Sequence, residues 1–411
     1  MKFLSHPFLR VASFVFTVVS ATSAATLSDV SATPLEDGQV RLVYTVDGTA
    51  DETFRVELSG LNQEDGSDIE LKSLSGTDLS QRLSPGTYTN LWDAAADFPT
   101  NRTERFVVQA TLLGHESATA DYMVLDLSTN TYPVSTLDAV PDGGWTDEYK
   151  TSKMVFRRIE AGSFSMGSPS GEIGRNKEES ASETRHSVTL TEPFYLAVFP
   201  CTQGQFQRIA GSNPAKAAQG EAFPVDSVSY EALRGTGQGA QWPASSAVDA
   251  SSFFGRLNAR SGQTFDLPTE AQWEYACRAG STGAFCNGAG IDPDATPSIR
   301  AIARFAGNRN DDKGRSNHTA VGSYEPNAWG LYDMHGNVWE WCLDNGMDYT
   351  AEAITNPGGK SDDFSSRMLR GGGFGTQPES CRSAHREPQS PDWTRDNCGF
   401  RLTLVVTPPA L

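Results

Sequence analysis

The feature that most constrains this chain is a change of pattern about one third of the way along it. Up to about Asp126 apolar and polar residues alternate, and beyond about Lys153 they do not. Val40, Leu42, Tyr44 and Val46 form one alternating run, Phe54, Val56 and Leu58 a second, and Phe106, Val108, Ala110 and Leu112 a third. A period of two marks half-buried strands. Turn signals such as Glu36-Asp37-Gly38, Asp47-Gly48 and Ser84-Pro85-Gly86 separate the runs. Residues 26–126 therefore read as a small antiparallel β-sandwich. Residues 127–152 turn polar and rich in Pro, Gly and Asp, which reads as a linker.

The first 25 residues carry a different message. Lys2 and Arg10 are basic, Val11 to Ala21 is apolar, and Thr22-Ser23-Ala24-Ala25 offers small residues for cleavage, the pattern of a secretory signal peptide. The expected location is secreted or periplasmic. No other stretch is long and apolar enough to suggest a membrane span. With 33 Lys+Arg against 51 Asp+Glu the net charge is -18, which argues against nucleic acid as a partner, since phosphate binding needs a basic face. Most of that acidity lies early: residues 26–150 hold 7 basic and 22 acidic side chains, whereas residues 151–411 hold 24 and 29. The second half is nearly balanced, so protein, peptide and glycan ligands are all open there.

Residues 153–406 read as a second domain of short helices set in long irregular segments, followed by a tail at 407–411. Two helix starts carry capping boxes, Thr202-Gln203-Gly204-Gln205 and Thr269-Glu270-Ala271-Gln272. Between them Val248 to Ala259 presents Phe253, Phe254 and Leu257 on one face and stops at Ser261-Gly262. All 6 cysteines, Cys201, Cys277, Cys286, Cys342, Cys381 and Cys398, lie in this half without a C-x-x-C pair. An exported chain can keep disulfides, but spacing alone cannot choose the pairing.

Several segments of the second domain are highly specific. They are Ile159 to Ser168 (IEAGSFSMGS), Phe223 to Tyr230 (FPVDSVSY), Asp266 to Ala276 (DLPTEAQWEYA), Asn327 to Trp341 (NAWGLYDMHGNVWEW), Arg370-Gly371-Gly372 and Gly399-Phe400-Arg401-Leu402. This ordered set resembles the sulfatase-modifying factor family, that of the formylglycine-generating enzyme. The resemblance implies an α+β variant of the C-type lectin fold with little regular secondary structure. On their own chemistry Trp273, Tyr275, Trp329, Trp339 and Trp341 read as scaffold. Gly330, Gly336, Gly371 and Gly372 read as positions of positive φ or close chain approach. Glu340, between two tryptophans, needs a cation, an arginine or several amide donors if it is buried.

The resemblance also implies sites. The loop matching Asp333 to Glu340 would bind calcium through the Asp333 side chain, the carbonyls of Gly336 and Val338, and Glu340, a hard oxygen set. A Glu340–arginine salt bridge without metal is the other reading of the same carboxylate. The family enzyme oxidises a cysteine of sulfatase precursors with copper(I) held by a C-x4-C pair after Arg-Gly-Gly, because soft thiolates select copper(I). Here a gapless forward count places Thr376 and Cys381 at the two positions, while a backward count from Arg386 places neither cysteine there. At most one thiolate stands where two are required, so copper and the oxidase chemistry are in doubt, and Cys381 is the one weak catalytic candidate. The bland alternative is a disulfide between Cys381 and Cys277, which matches a family structural cysteine. Diversified ligand-binding relatives use a variable surface near the C-terminus, and its counterpart here includes Trp393, Arg395 and Asp396. The resulting expectation is an exported binding or accessory module on this scaffold, with a formylglycine-generating oxidase as the alternative.

Overall fold

The computed structural model describes residues 26–35, 39–47, 52–62, 68–69, 71–77, 83, 85–97, 106–117, 120–175, 182–291, 296–310, 317–359 and 364–404. The expected signal peptide at 1–25 and the tail at 407–411 lie outside the described residues. The chain forms two compact units, the second beginning at Asp121.

In the first unit, Thr26–Pro34, Gln39–Asp47, Gly86–Asp93 and Leu74–Gly76 make a four-stranded antiparallel sheet in the order first, second, third, fourth as named. Asp68–Ile69, Glu52–Asn62 and Phe106–Ser117 make a three-stranded antiparallel sheet with the long Glu52–Asn62 strand in the middle. The alternation read from sequence is the burial pattern observed: Val40, Leu42, Tyr44 and Val46 all point inward. They join Val56, Leu58, Val108 and Trp92 in one apolar cluster.

The boundary falls earlier than the pattern suggests. Tyr122–Asp126 belongs to the second unit, where it pairs with Lys153–Ile159 on one side and Val134–Leu137 on the other. The stretch expected to be a linker is thus part of a packed domain. Tyr132 is buried in the main core and its hydroxyl donates to the Arg208 carbonyl at 3.0 Å. Trp145 packs edge-on between Tyr122 and Tyr149. A few large aromatics outweigh the Pro, Gly and Asp around them, because each removes more apolar surface from water than a turn residue exposes.

The second unit carries a six-stranded antiparallel sheet in the order Phe265–Asp266, Thr403–Leu404, Phe194–Ala197, Lys153–Ile159, Tyr122–Asp126, Val134–Leu137. A smaller sheet runs Glu387–Gln389, Arg367–Arg370, Trp339–Trp341, Cys398–Phe400, with its last pair parallel. Both capping boxes form as read: Thr202 and Gln205 cap the helix Gln203–Ala210, and Thr269 and Gln272 cap the helix Glu270–Arg278. The third helix runs Phe253–Ser261, starting five residues later than its apolar pattern, because Ser252 caps it through the Gly255 amide. Its Phe253 stacks on Phe206 at 4.9 Å and meets Phe400 edge-on at 5.1 Å, joining two helices to the small sheet.

Gly330, Gly336, Gly371 and Gly372 all have positive φ, as expected from the motifs. At Gly336 (φ 81°) a Cβ would also run into the Arg304 carbonyl, whereas at Gly330 (φ 78°) the nearest atom would be the Tyr122 hydroxyl at 3.4 Å. Gly336→Ala should therefore cost at least about 3 kcal/mol, against about 1 kcal/mol for Gly330→Ala, where only backbone conformation is strained. Denaturant unfolding of the two variants, followed by tryptophan fluorescence, checks this; equal losses would contradict it.

Candidate functional site

The centre of the second unit is a lattice of buried charge built on the helix Glu270–Arg278 and the small sheet. Glu270 accepts from Arg370 Nη1 at 3.0 Å and from Arg386 Nε and Nη2 at 2.8 and 2.5 Å. One turn on, Glu274 accepts from Arg278 and from Arg370 Nη2, and its Oε1 also takes the Gly167 amide at 2.9 Å. Burial alone would raise the Glu274 carboxyl, but the two guanidiniums hold it below the usual carboxylate range. Strand pairing sets Glu340 opposite Arg370 on one side and Gly399 on the other.

Glu340 has an arginine partner. Arg401 grips it with two bonds, Nε at 3.0 Å and Nη2 at 2.8 Å, and the Trp273 indole N–H donates at 2.7 Å. The remaining donors of Arg401 go to the carbonyls of Ala197, Val198 and Tyr332, which fastens Tyr332 and the loop after it. Asp333, at the start of that loop, is treated differently. Its Oδ2 accepts from the Gly322 amide at 2.7 Å and its Oδ1 from the Asn337 side-chain amide at 3.2 Å. Among the described residues no basic side chain lies within ion-pair distance of Asp333. Burial, with Glu340 nearby adding repulsion, pushes its carboxyl up to about 6. A hard carboxylate donor suits calcium at Asp333, where a cation would add to the partial compensation that the Gly322 amide and the Arg401 charge already give. Glu340 fits less well, since Arg401 already neutralises it.

The segment after Arg-Gly-Gly is where the resemblance would place copper ligands. Gly373 to Thr376 form a tight turn in which the Thr376 hydroxyl bonds Gly373, and Pro378–Cys381 is a short 3-10 helix. This brings Thr376 Oγ1 to 3.6 Å from Cys381 Sγ, so the two positions of the forward count do face each other. One of them, however, is a hydroxyl. Cys381 is fully buried among Phe285, Ile299, Ile302 and Phe305, and burial pushes its thiol up to about 12. At neutral pH it is neither a thiolate nor reachable, and one hard hydroxyl with one neutral thiol does not fit copper(I). No step through copper is assigned to this segment.

The Cys277–Cys381 disulfide is not formed, and all six cysteines are free. The sulfur of Cys277 instead faces Ser383 Oγ at 3.5 Å, the Met334 carbonyl and His335. Cys381 closes the 3-10 helix Pro378–Cys381 and lies in the apolar cluster of Phe285, Ile299 and Phe305, apart from the cluster that holds Cys277. Ser383 is the residue that sequence reasoning missed; the backward count from Arg386, which denied Cys381 the copper position, was the signal that the segment is shorter than it looks.

The C-terminal candidates divide. Arg395 and Asp396 are exposed, but Trp393 is partly buried and packs edge-on against Trp341 at 6.4 Å, so it serves the core more than a ligand. Of the five aromatics read as scaffold, Trp273, Trp339 and Trp341 are buried. Tyr275 and Trp329 are only half-buried and line a cavity.

Residues 146–405 match the family described as Sulfatase-modifying factor enzyme 1-like domain. The chain belongs to that family. Within it, the chain is 37% identical over 142 residues to the formylglycine-generating enzyme of Streptomyces coelicolor, which covers 33% of this chain and 45% of that protein. It is 31% identical over 269 residues to the serine/threonine-protein kinase pkn1 of Chlamydia caviae, covering 62% of this chain and 38% of that one. The chain spans less than half the length of these curated relatives. Among solved structures PvdO from Pseudomonas aeruginosa is similar at 27% identity, with a TM-score of 0.49 over 61% of this chain and 94% of that one. Sulfatase-modifying-factor membership accounts for the mostly-strand second unit with its few short helices.

Asp344 adds a pH-dependent feature to this family scaffold. Its Oδ2 accepts the Glu270 amide at 2.7 Å, and burial together with the Glu270 charge pushes its carboxyl up to about 7. The folded value lies above the unfolded one near 4, so the native state binds the extra proton and loses stability as pH rises from about 4 through 7. Asp344→Asn, which keeps an acceptor for the amide, should raise the melting temperature by roughly 5 °C at pH 8 and change it little at pH 4. A gain of the same size at both pH values would contradict this assignment.

Proposed function

We propose that the second unit is a binding or accessory module on the sulfatase-modifying-factor scaffold, without the copper-dependent cysteine oxidase chemistry of the formylglycine-generating enzyme. The observation that supports this reading is the Thr376–Cys381 pair: on the forward count, a hydroxyl and a buried, protonated thiol occupy the two positions that the family fills with thiolates. The scaffold motifs around them are kept, which suits a protein that retains the fold and its recognition surfaces while dispensing with the reaction. The proposed setting is outside the cytoplasm, by way of the signal-peptide pattern at 1–25. The first unit is proposed to be a sandwich module, on the support of its two antiparallel sheets sharing one apolar cluster. Its acidic composition supports protein, peptide or glycan surroundings and not nucleic acid.

The test is to incubate the purified protein with copper(I) and a peptide containing Cys-x-Pro-x-Arg, and follow thiol loss and aldehyde gain by mass spectrometry. No aldehyde and no stoichiometric copper(I) binding is the expected result. Aldehyde formation that Cys381→Ala abolishes would establish the oxidase reading instead.

Calcium is proposed as a structural ion held by Asp333 and the carbonyls of Gly336 and Val338, with Glu340 shared between the ion and Arg401. Bound calcium would supply positive charge beside Asp333 and take no part in chemistry. A ligand that binds only the native state must stabilise it, so millimolar calcium should raise the melting temperature and a chelator lower it by several degrees, and Asp333→Ala should erase the difference. A melting temperature indifferent to both additions would remove calcium from this account.

A further inference from the structure

A concave site that none of the functional reasoning above uses lies on the second unit. It is a cavity of about 320 Å³, within the range of small-molecule sites. One wall is aromatic: Phe164 and Tyr275 meet at 5.1 Å with their rings tilted by 42°, and Trp329 stands edge-on to Tyr275 at 4.9 Å. All three pack against the core on one side, yet none is fully buried. The three leave a contiguous strip of partly exposed apolar surface that a ligand would cover.

The lining also carries charge. Arg278 lines the cavity, but Glu274 and the carbonyls of Gly167 and Gly283 take its donors. Arg185 is the contrast. It is exposed, its Nε donates to the Ser165 hydroxyl at 2.7 Å, and among the described residues no carboxylate lies within ion-pair distance of it. Glu160, the acid whose charge is felt at Tyr275, is paired with Arg158. The cavity therefore combines a wall of angled aromatic rings with one guanidinium that has no ion-pair partner among the described residues and is oriented by its bond to Ser165.

We propose that this cavity binds a small aromatic carboxylate, its ring packed against the Phe164–Tyr275–Trp329 wall and its carboxylate taken by the Nη atoms of Arg185. An aromatic wall supplies non-directional burial, and arginine supplies a two-pronged anion contact that a neutral ring cannot use. This deepens the reading of the second unit as a binding module by giving that module a site and a ligand class. It is also separable from the copper question, since no lining residue comes from the Thr376–Cys381 segment.

The experiment is isothermal titration of the full chain with indole-3-carboxylate and, in parallel, with neutral indole. The acid should bind saturably with a dissociation constant of about 1 mM or tighter, as a good fragment-sized ligand does, and indole at least about tenfold more weakly. Arg185→Gln, an exposed position whose change leaves the fold intact, should abolish the preference for the acid while leaving the weak indole binding. Trp329→Leu, with its fold checked by circular dichroism, should weaken both. Absence of saturable binding of the acid, or a preference that survives Arg185→Gln, overturns the proposal. Either outcome can occur whatever the aldehyde assay shows, so failure here and failure of the non-oxidase reading are distinguishable.

Discussion

Arginine forks on buried carboxylates hold the second unit together. Its sheets are short and its helices few, so long loops must be fixed by something other than ladder hydrogen bonds. Glu270, Glu274 and Glu340 lie in the interior, and Arg370, Arg386, Arg278 and Arg401 bind them while donating onward to main-chain carbonyls. Each fork thereby ties a helix or strand to a loop distant in sequence: Arg370 reaches the Ser383 carbonyl, and Arg401 reaches Tyr332. Such pairs do not add stability in proportion to their number, because taking charges out of water is costly. Their consequence is specificity: removing one partner leaves a buried charge alone, a loss of about 3–5 kcal/mol that rejects any other arrangement of the loops.

How far this was legible differs by region. The alternation of Val40, Leu42, Tyr44 and Val46 gave the first unit's inner face directly, because a period of two has one structural meaning. The capping boxes at Thr202 and Thr269 were equally direct, since their chemistry is local. The domain boundary was not, because Tyr132 and Trp145 act through contacts with Arg208, Tyr122 and Tyr149 that no local window contains. Glu340 shows the intermediate case. Burial between two tryptophans said that it needs a partner, and only the parallel pairing of Trp339–Trp341 with Cys398–Phe400 brings the partner, Arg401, to it. Cys381 failed for a different reason: the face it shows depends on a 3-10 turn in a segment whose length cannot be aligned without gaps.

The same geometry separates what the family scaffold keeps from what it changes. The Asp333 to Glu340 loop, the Trp273 indole and the Arg370 and Arg401 forks form one connected support, and a substitution in it would disturb the whole unit. The Thr376–Cys381 turn joins that support through its main chain, the Cys381 carbonyl lying 2.8 Å from His335 Nδ1, and not through the Thr376 and Cys381 side chains. The Thr376 hydroxyl bonds within its own turn and to Cys381, whose sulfur fills an apolar cluster, while the Thr376 carbonyl accepts the Ala306 amide at 2.8 Å. On the proposed reading, a hydroxyl at Thr376 satisfies this turn without supplying the soft ligand pair that copper(I) requires. The half-buried aromatic wall beside Arg185 lies elsewhere on the unit, where binding can be retained independently of any reaction.

The measurement that bears most directly on this account is thiol titration with Ellman's reagent in the absence of reductant, on native and on denatured protein. Of the six cysteines only Cys286 has appreciable exposure, and the thiols of Cys201, Cys277, Cys342, Cys381 and Cys398 are all raised by burial. The account predicts one thiol reacting promptly in the native protein and six after unfolding. Prompt native reaction at Cys381, located by mass spectrometry, would mean an accessible low-pKa thiolate and contradict the claim that this position has lost its chemistry.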